Sequence, residues 1–486
     1  MAKNSIIRLI IVLSLLVAAL IWKPLFILII PGILLLFVPL FEEEVELANL
    51  LIYVVGISLS FWVCSFWFLK FIPLSLTIFF ISVVAITTSI TAYCLFAKTN
   101  KYRISLKYHN FILILIFLFV LILRLQPMYF AIAPPGADMS MHTYITQIII
   151  RANGVPNDYY PILAIDRFDS FPAGFHTLSA LTSLVGGIAP FRSTFLITCI
   201  TYTLVTLFLY VFLNRFVSWP FALISSIAFS FFTENPQGFT SWGGNPTILA
   251  IAFLILSISL LDRMKSNKWN ILLTAIAFVS IMLTHTLIFI QTVYIFGVSF
   301  LAYFLLNKEC QKRKWFKYLW LTAFFFIIVS AYLFTFEFGV TTPETIDWIK
   351  SWVRDGGHVW HGTASNFIWT IPTYIKGYIF GHSIFKYSLI ICSIGLICAS
   401  FTNLKRAIQY AAFMVMIVLL ILNAQYWVLP FSYAIYPERA ATMIIIPLSL
   451  FFAYGLEIPL KKLKDAKINN IFLLSTLLKY GKKKTG

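Results

Sequence analysis

Phe171-Pro172-Ala173-Gly174-Phe175-His176-Thr177-Leu178-Ser179-Ala180-Leu181-Thr182-Ser183-Leu184-Val185-Gly186-Gly187-Ile188-Ala189-Pro190 is apolar enough to enter a bilayer and too interrupted to cross one. Pro172 and Pro190 close its ends, Gly174, Gly186 and Gly187 weaken its helix, and His176 puts an ionisable group near its start. Its unbroken part is about as short as a re-entrant or interfacial segment. If it crosses, everything after it faces one side of a membrane; if it does not, everything faces the other.

Outward from it, the rest of the chain is mostly apolar runs of roughly the 16 to 25 residues that a crossing needs. They fall at 5–22, 25–41, 47–69, 72–97, 110–130, 193–213, 217–233, 246–261, 269–286, 289–306, 319–336, 387–402, 407–422 and 441–459. The positive-inside rule decides their arrangement, because inner connectors hold the excess of Lys and Arg. With 171–190 not crossing, the connectors 98–109, 262–268, 307–318 and 403–406 share one side with the tail 460–486. These segments hold the basic clusters Lys98 to Lys107, Arg263 to Lys268, Lys308 to Lys317, Lys405-Arg406 and the Lys-rich end. Letting 171–190 cross would turn the last three connectors and the tail outward. The sequence therefore predicts an all-α polytopic protein of the cell membrane with about fourteen transmembrane helices and both termini cytoplasmic. Its external loops lie at 131–192, 234–245, 337–386 and 423–440, the first of them with interfacial helices.

Composition agrees. Of 486 residues 60% are hydrophobic and 11% charged, with mean hydropathy +0.90, which leaves no polar reserve for a sizeable soluble domain. The formal net charge of +18 is spread through short connectors rather than gathered on one face, which argues for anionic headgroups and against nucleic acid as the partner. Five of the six cysteines lie in apolar runs and none forms a CxxC pair, so neither a disulfide framework nor a thiolate metal site is indicated. Lys3, Arg8 and the run from Leu9 resemble a signal segment, but a second apolar run follows from Leu25 without a small-residue cleavage site, so the first helix is read as retained.

Polar chemistry gathers on the outer side. Six of the seven histidines and most carboxylates sit in the outer loops or at outer helix ends. In Pro134-Pro135-Gly136-Ala137-Asp138-Met139-Ser140-Met141-His142, Asp138 and His142 are four apart and share one helix face. A carboxylate and an imidazole so placed suit a metal or a base with its orienter; Asp138 as an N-cap after a Pro-Gly turn is the plainer account. His176 returns from the far part of the same loop, and an aromatic interfacial anchor accounts for its segment equally well. Glu234 is the ionisable residue of the turn-rich loop Thr233 to Pro246, as an oxygen ligand or simply part of a turn. The stretch Trp348 to His361 interleaves Lys350, Trp352, Arg354, Asp355 and His358, a surface that suits sugar faces and hydroxyls or the membrane interface. Arg439 in Tyr436-Pro437-Glu438-Arg439 opens the last helix, where it would hold a phosphate or snorkel to headgroups. His285 in Leu283-Thr284-His285-Thr286 reads as a satisfied structural group at a helix mouth.

This ordered set resembles the GT-C superfamily of membrane glycosyltransferases. Asp138 occupies the place of the family's principal carboxylate, Phe171-Pro172-Ala173-Gly174-Phe175-His176-Thr177-Leu178 is similar to its aromatic-Pro-x-Gly-Phe-His-x-Leu pattern, and Arg439 matches the arginine that contacts the lipid phosphate. The resemblance spans 110–459 as a core, leaving 1–109 as an N-terminal four-helix addition and 460–486 as a basic tail. It implies an inverting transferase at the outer face, taking a sugar from a polyprenyl-phosphate-linked donor to a glycan, lipid or protein acceptor. Asp138 and His142 would be catalytic; Arg439, Arg354 and Lys350 would hold the donor phosphate; Trp352, Asp355 and His358 would bind substrate. If a divalent cation, Mg or Mn, is used, Asp138, His142, His176 and Glu234 would hold it. The alternatives are a transporter or flippase of lipid-linked glycans, or a non-catalytic membrane subunit.

Overall fold

The computed structural model describes residues 2–37, 44–97, 102–162, 168, 172–261, 269–306, 379–381, 384–422 and 436–462. The chain opens with α1 (Ala2–Ile21) and continues in broken form, with one turn of helix, α2 (Leu25–Ile29), followed by a 3-10 turn over Gly32–Leu36. The expected single helix over 25–41 is thus not formed, because Pro31 lacks an N–H and its ring displaces the turn before it. Arg8, 0% exposed, donates from Nε to Leu36 O at 2.7 Å, so the broken segment runs antiparallel to α1 and ends beside its first turns.

Two short strands start the next helices. β1 (Glu44–Glu46) leads into α3 (Leu47–Phe66), and, after the returning helix α4 (Leu76–Phe96), β2 (Arg103–Ser105) leads into α5 (Tyr108–Leu125). The strands pair in parallel with Val45 opposite Ile104, so α3 and α5 begin at the same end of the bundle. Ser75 caps α4 by accepting from the Ile78 N–H at 3.2 Å. Pro127–Phe130 adds a short α6, then α7 (Met139–Ala152) and α8 (Gly174–Gly186) lie ahead of α9 (Pro190–Leu213). α10 (Trp219–Phe231), α11 (Glu234–Gln237), α12 (Asn245–Leu261), α13 (Trp269–Thr284) and α14 (Thr286–Leu306) follow. Near the C-terminus come α15 (Ser388–Thr402), α16 (Leu404–Ile421) and α17 (Pro437–Thr442), with a further helix over 445–462.

Among the described residues, eight helices are long and apolar enough to cross a membrane, and shorter apolar helices include α10 and α12. The run 319–336 lies outside the described residues. The surfaces of α1, α4, α5 and α15 expose Leu13, Ile81, Phe119 and Ile394, as helices facing lipid do. The chain is an all-α membrane protein.

Packing is continuous across residue 109, with α3 inside the bundle against α13, α8 and α9. Tyr53 Oη and Ser259 Oγ share a hydrogen bond at 2.7 Å, Ser280 Oγ donates to Ser60 O at 3.1 Å, and a Cβ on Gly56 would meet Leu256 Cδ2 at 2.7 Å. α8 also departs from expectation. It does not lie along a surface: Gly174 to Ser183 are all buried, between α7, α9 and α3. Its hydroxyls allow this by donating to carbonyls one turn back, Thr177 to Ala173 O, Ser179 to Phe175 O and Thr182 to Leu178 O, so these three are buried without needing water.

Candidate functional site

Two glycines bring the segment before α7 and the Thr233 to Asn245 loop into contact. Gly136 has φ 122° and Gly243 φ 97°, a region that disfavours side chains. A Cβ on Gly136 would fall 2.6 Å from Gly243 N, and one on Gly243 would fall 3.0 Å from Asp138 Cβ. The Asp138 N–H donates to Trp242 O at 2.9 Å. Asn245, 0% exposed, ties the loop down from below, its Oδ1 accepting from Tyr202 Oη at 3.1 Å.

Asp138 stands at the N-cap position of α7, and its backbone O accepts from the His142 N–H at 3.0 Å. Its side chain makes no capping bond, so the plainer account of this residue does not describe what its carboxylate does. Burial raises the carboxyl above its ordinary value, and Arg439 pulls it back.

His142 and His176 meet as the sequence suggested. His142 Nδ1 and His176 Nε2 are 2.9 Å apart, and His142 Nε2 is 3.1 Å from Gly243 O. A carbonyl only accepts, so the His142 proton sits on Nε2; Nδ1 then accepts, and His176 donates from Nε2. Burial lowers the His142 pKa to about 4 and takes that of His176 well below the ordinary range. Both are neutral, and both nitrogens of His142 are engaged. His142 therefore holds the Gly243 loop in place and is not free to take a proton or to pair with Asp138.

Arg439 comes from α17, 301 positions after Asp138 in sequence and within its electrostatic reach. Its guanidinium lies 4.5 Å from the Tyr436 ring centroid and 5.8 Å from that of Trp242. Trp242 thus touches both charged residues, through its carbonyl on one side and its ring on the other. His285 also belongs here, within electrostatic range of Arg439 and His142, although its sequence reading was structural.

Glu234 does not join this cluster; its Oε2 would lie 2.6 Å from a Cβ on Gly381. Among the described residues no three of His, Cys, Asp and Glu converge as cation ligands. With both nitrogens of His142 engaged, Asp138, His142, His176 and Glu234 as placed do not fit a metal ion. Lys350, Trp352, Arg354, Asp355 and His358 lie outside the described residues. Trp242 and Tyr436 were missed as contacts of Arg439; the signal for Trp242 was the density of Gly and Asn around it in Trp242-Gly243-Gly244-Asn245.

Compared with known protein families, curated proteins and solved structures, the chain matches none.

Proposed function

We propose that this chain is a membrane transferase that moves a sugar from a polyprenyl-phosphate-linked donor to an acceptor hydroxyl on the outer face of the cytoplasmic membrane. The observation that carries the reading is the pairing of an uncapped carboxylate, Asp138, with the aromatic-held guanidinium of Arg439 beside one loop. Asp138 takes the proton of the acceptor hydroxyl as its oxygen bonds to the anomeric carbon. The bond from that carbon to the phosphate oxygen breaks on the opposite face, which inverts the centre. The phosphate leaves with the electron pair, and Arg439 stabilises its growing charge. The raised pKa of Asp138 makes it a better base than an ordinary aspartate. His142 and His176 keep the Gly243 loop seated on Asp138.

One observation also suits a second reading, movement of a lipid-linked glycan without chemistry. An open apolar cavity of about 710 Å³ lies between α10, α15 and the last helix, lined by Ile227, Phe232, Phe385, Ile391 and Phe452. A lipid chain would fit either a donor site or a transport route there. Release of polyprenyl phosphate from lipid-linked sugars by the purified protein in nanodiscs separates the two, since a transporter returns its lipid unchanged.

A further inference from the structure

The guanidinium of Arg439 is held without a hydrogen bond. Among the described residues none accepts from it, so its N–H donors are open to a ligand and nothing directional in the protein fixes them. Arg8, Arg124 and Arg192, by contrast, each donate to a backbone carbonyl, Leu36 O, Ser230 O and Met128 O. What touches Arg439 is two rings, that of Tyr436 at 4.5 Å and that of Trp242 at 5.8 Å. Tyr436 stands three positions earlier in the same segment and travels with it. Trp242 belongs to the opposite loop, and its carbonyl accepts from the Asp138 N–H at 2.9 Å. Its own loop seats the indole. The Phe239 ring lies 5.0 Å away, a Cβ on Gly244 would fall 2.5 Å from Trp242 Cη2, and Phe239 O accepts from the N–H groups of Gly243 at 3.0 Å and Gly244 at 2.9 Å.

We propose that Trp242 is a positioning residue, its indole holding the Arg439 guanidinium by the attraction of cation to ring, in register with Asp138, and so setting how tightly a lipid phosphate binds. The lipid phosphate rests on the transferase reading; the tie from Asp138 through Trp242 to Arg439 rests on the contacts themselves. A ring suits this task better than a carboxylate. Both attract a guanidinium, but a carboxylate would occupy the N–H groups and cancel the charge that the phosphate must meet, whereas a ring leaves the donors unspent. An indole that merely filled space would hold the arginine by its volume. Volume and ring charge are separable by experiment.

Tryptophan carrying a rising number of ring fluorines, incorporated at position 242 alone in the full chain, drains charge from the ring face while changing its shape little. The probes are farnesyl phosphate and, as its uncharged counterpart, farnesol, titrated in nanodiscs with thermal midpoints recorded in parallel. The wild type is expected to prefer farnesyl phosphate. Each added fluorine is expected to weaken farnesyl phosphate binding in step, to a total of roughly threefold or more, the worth of one cation–ring contact. Farnesol binding and the thermal midpoint stay as they were. Trp242→Leu, which keeps apolar bulk without a ring, should lose at least as much, and the same fluorinated residues at Trp219, whose ring stacks on His109 at 5.4 Å, should change nothing. Farnesyl phosphate affinity that stays flat along the fluorine series overturns the positioning role and leaves the transferase reading standing, whatever Trp242→Leu does. A wild type that binds farnesyl phosphate no better than farnesol overturns it as well. A graded series in a protein that never releases lipid phosphate from a sugar donor upholds Trp242 and sinks the transferase reading alone.

Discussion

His176 donates to His142 across 2.9 Å, and His142 in turn donates to Gly243 O at 3.1 Å, which links the buried helix α8 to the loop that covers Asp138. Each ring keeps one proton, and a second on His142 would go on Nδ1 and cost it the bond it accepts from His176. That sets the pH dependence. The folded pKa of His142 lies at about 4 against an ordinary 6.5, so the unfolded chain binds more protons between those values. Stability is fully present above about pH 6.5 and is lost as pH falls toward 4. Thermal midpoints in nanodiscs should fall across that window and be flat from pH 7 to 8; a midpoint that holds down to pH 4 would show that the pair is not buried and neutral.

Gly243→Ala should harm the site more than the fold. The substitution puts a side chain at φ 97° and against Asp138 Cβ, costing about 1–2 kcal/mol for the backbone alone. Turnover should fall more than tenfold because Asp138 must move. Gly154→Ala, where the nearest atom to a new Cβ is 3.8 Å away, is the matched control and should leave both stability and turnover unchanged. Equal effects from the two substitutions would sever Gly243 from the site.

Much of this arrangement was legible in the sequence, and the misses have physical causes. Apolar length located α3, α4, α5 and α9 to within a few residues, because hydropathy and span length report the same bilayer. The run 25–41 has the right hydropathy but contains Pro31-Gly32, and averaging over a window hides a missing N–H. α8 reads as interfacial because Pro172, Gly174, His176, Gly186 and Gly187 interrupt its apolar run, whereas bonds from its Thr and Ser hydroxyls to carbonyls one turn back let it be buried. Asp138, His142, His176 and Arg439 were nameable from side-chain chemistry and order. His285 reads as structural because a sequence does not say what a helix mouth faces.

The crossing of α15 with the last helix should be the least tolerant place in the C-terminal part. A Cβ on Gly395 would be driven into Phe451 O, and one on Gly455 into Ile391 O, so the two backbones touch without side chains between them. Gly395→Ala should destabilise by about 1–3 kcal/mol or more, in the manner of an overpacked core. Gly297→Ala, which meets nothing within 4 Å, should have no effect on the thermal midpoint. A Gly395→Ala midpoint equal to wild type would rule out this close approach.

Asp138 should titrate above an ordinary aspartate, since burial raises its carboxyl more than Arg439 lowers it. The acid limb of the pH–rate profile should accordingly lie above about 3.9, the free-Asp value. Arg439→Gln removes the opposing charge and should move that limb further up while lowering the rate. A limb that stays in place in Arg439→Gln would separate the two residues electrostatically.

The most direct measurement is release of polyprenyl phosphate from a mixed pool of lipid-linked sugars by the full chain in nanodiscs, read by mass spectrometry, for wild type and Asp138→Asn at equal folded amounts. Wild type should release the lipid phosphate and form a glycosylated product, and Asp138→Asn should lose both while binding the lipids as before. Equal release by the two proteins, or none by wild type with binding intact, would contradict a transferase built on Asp138.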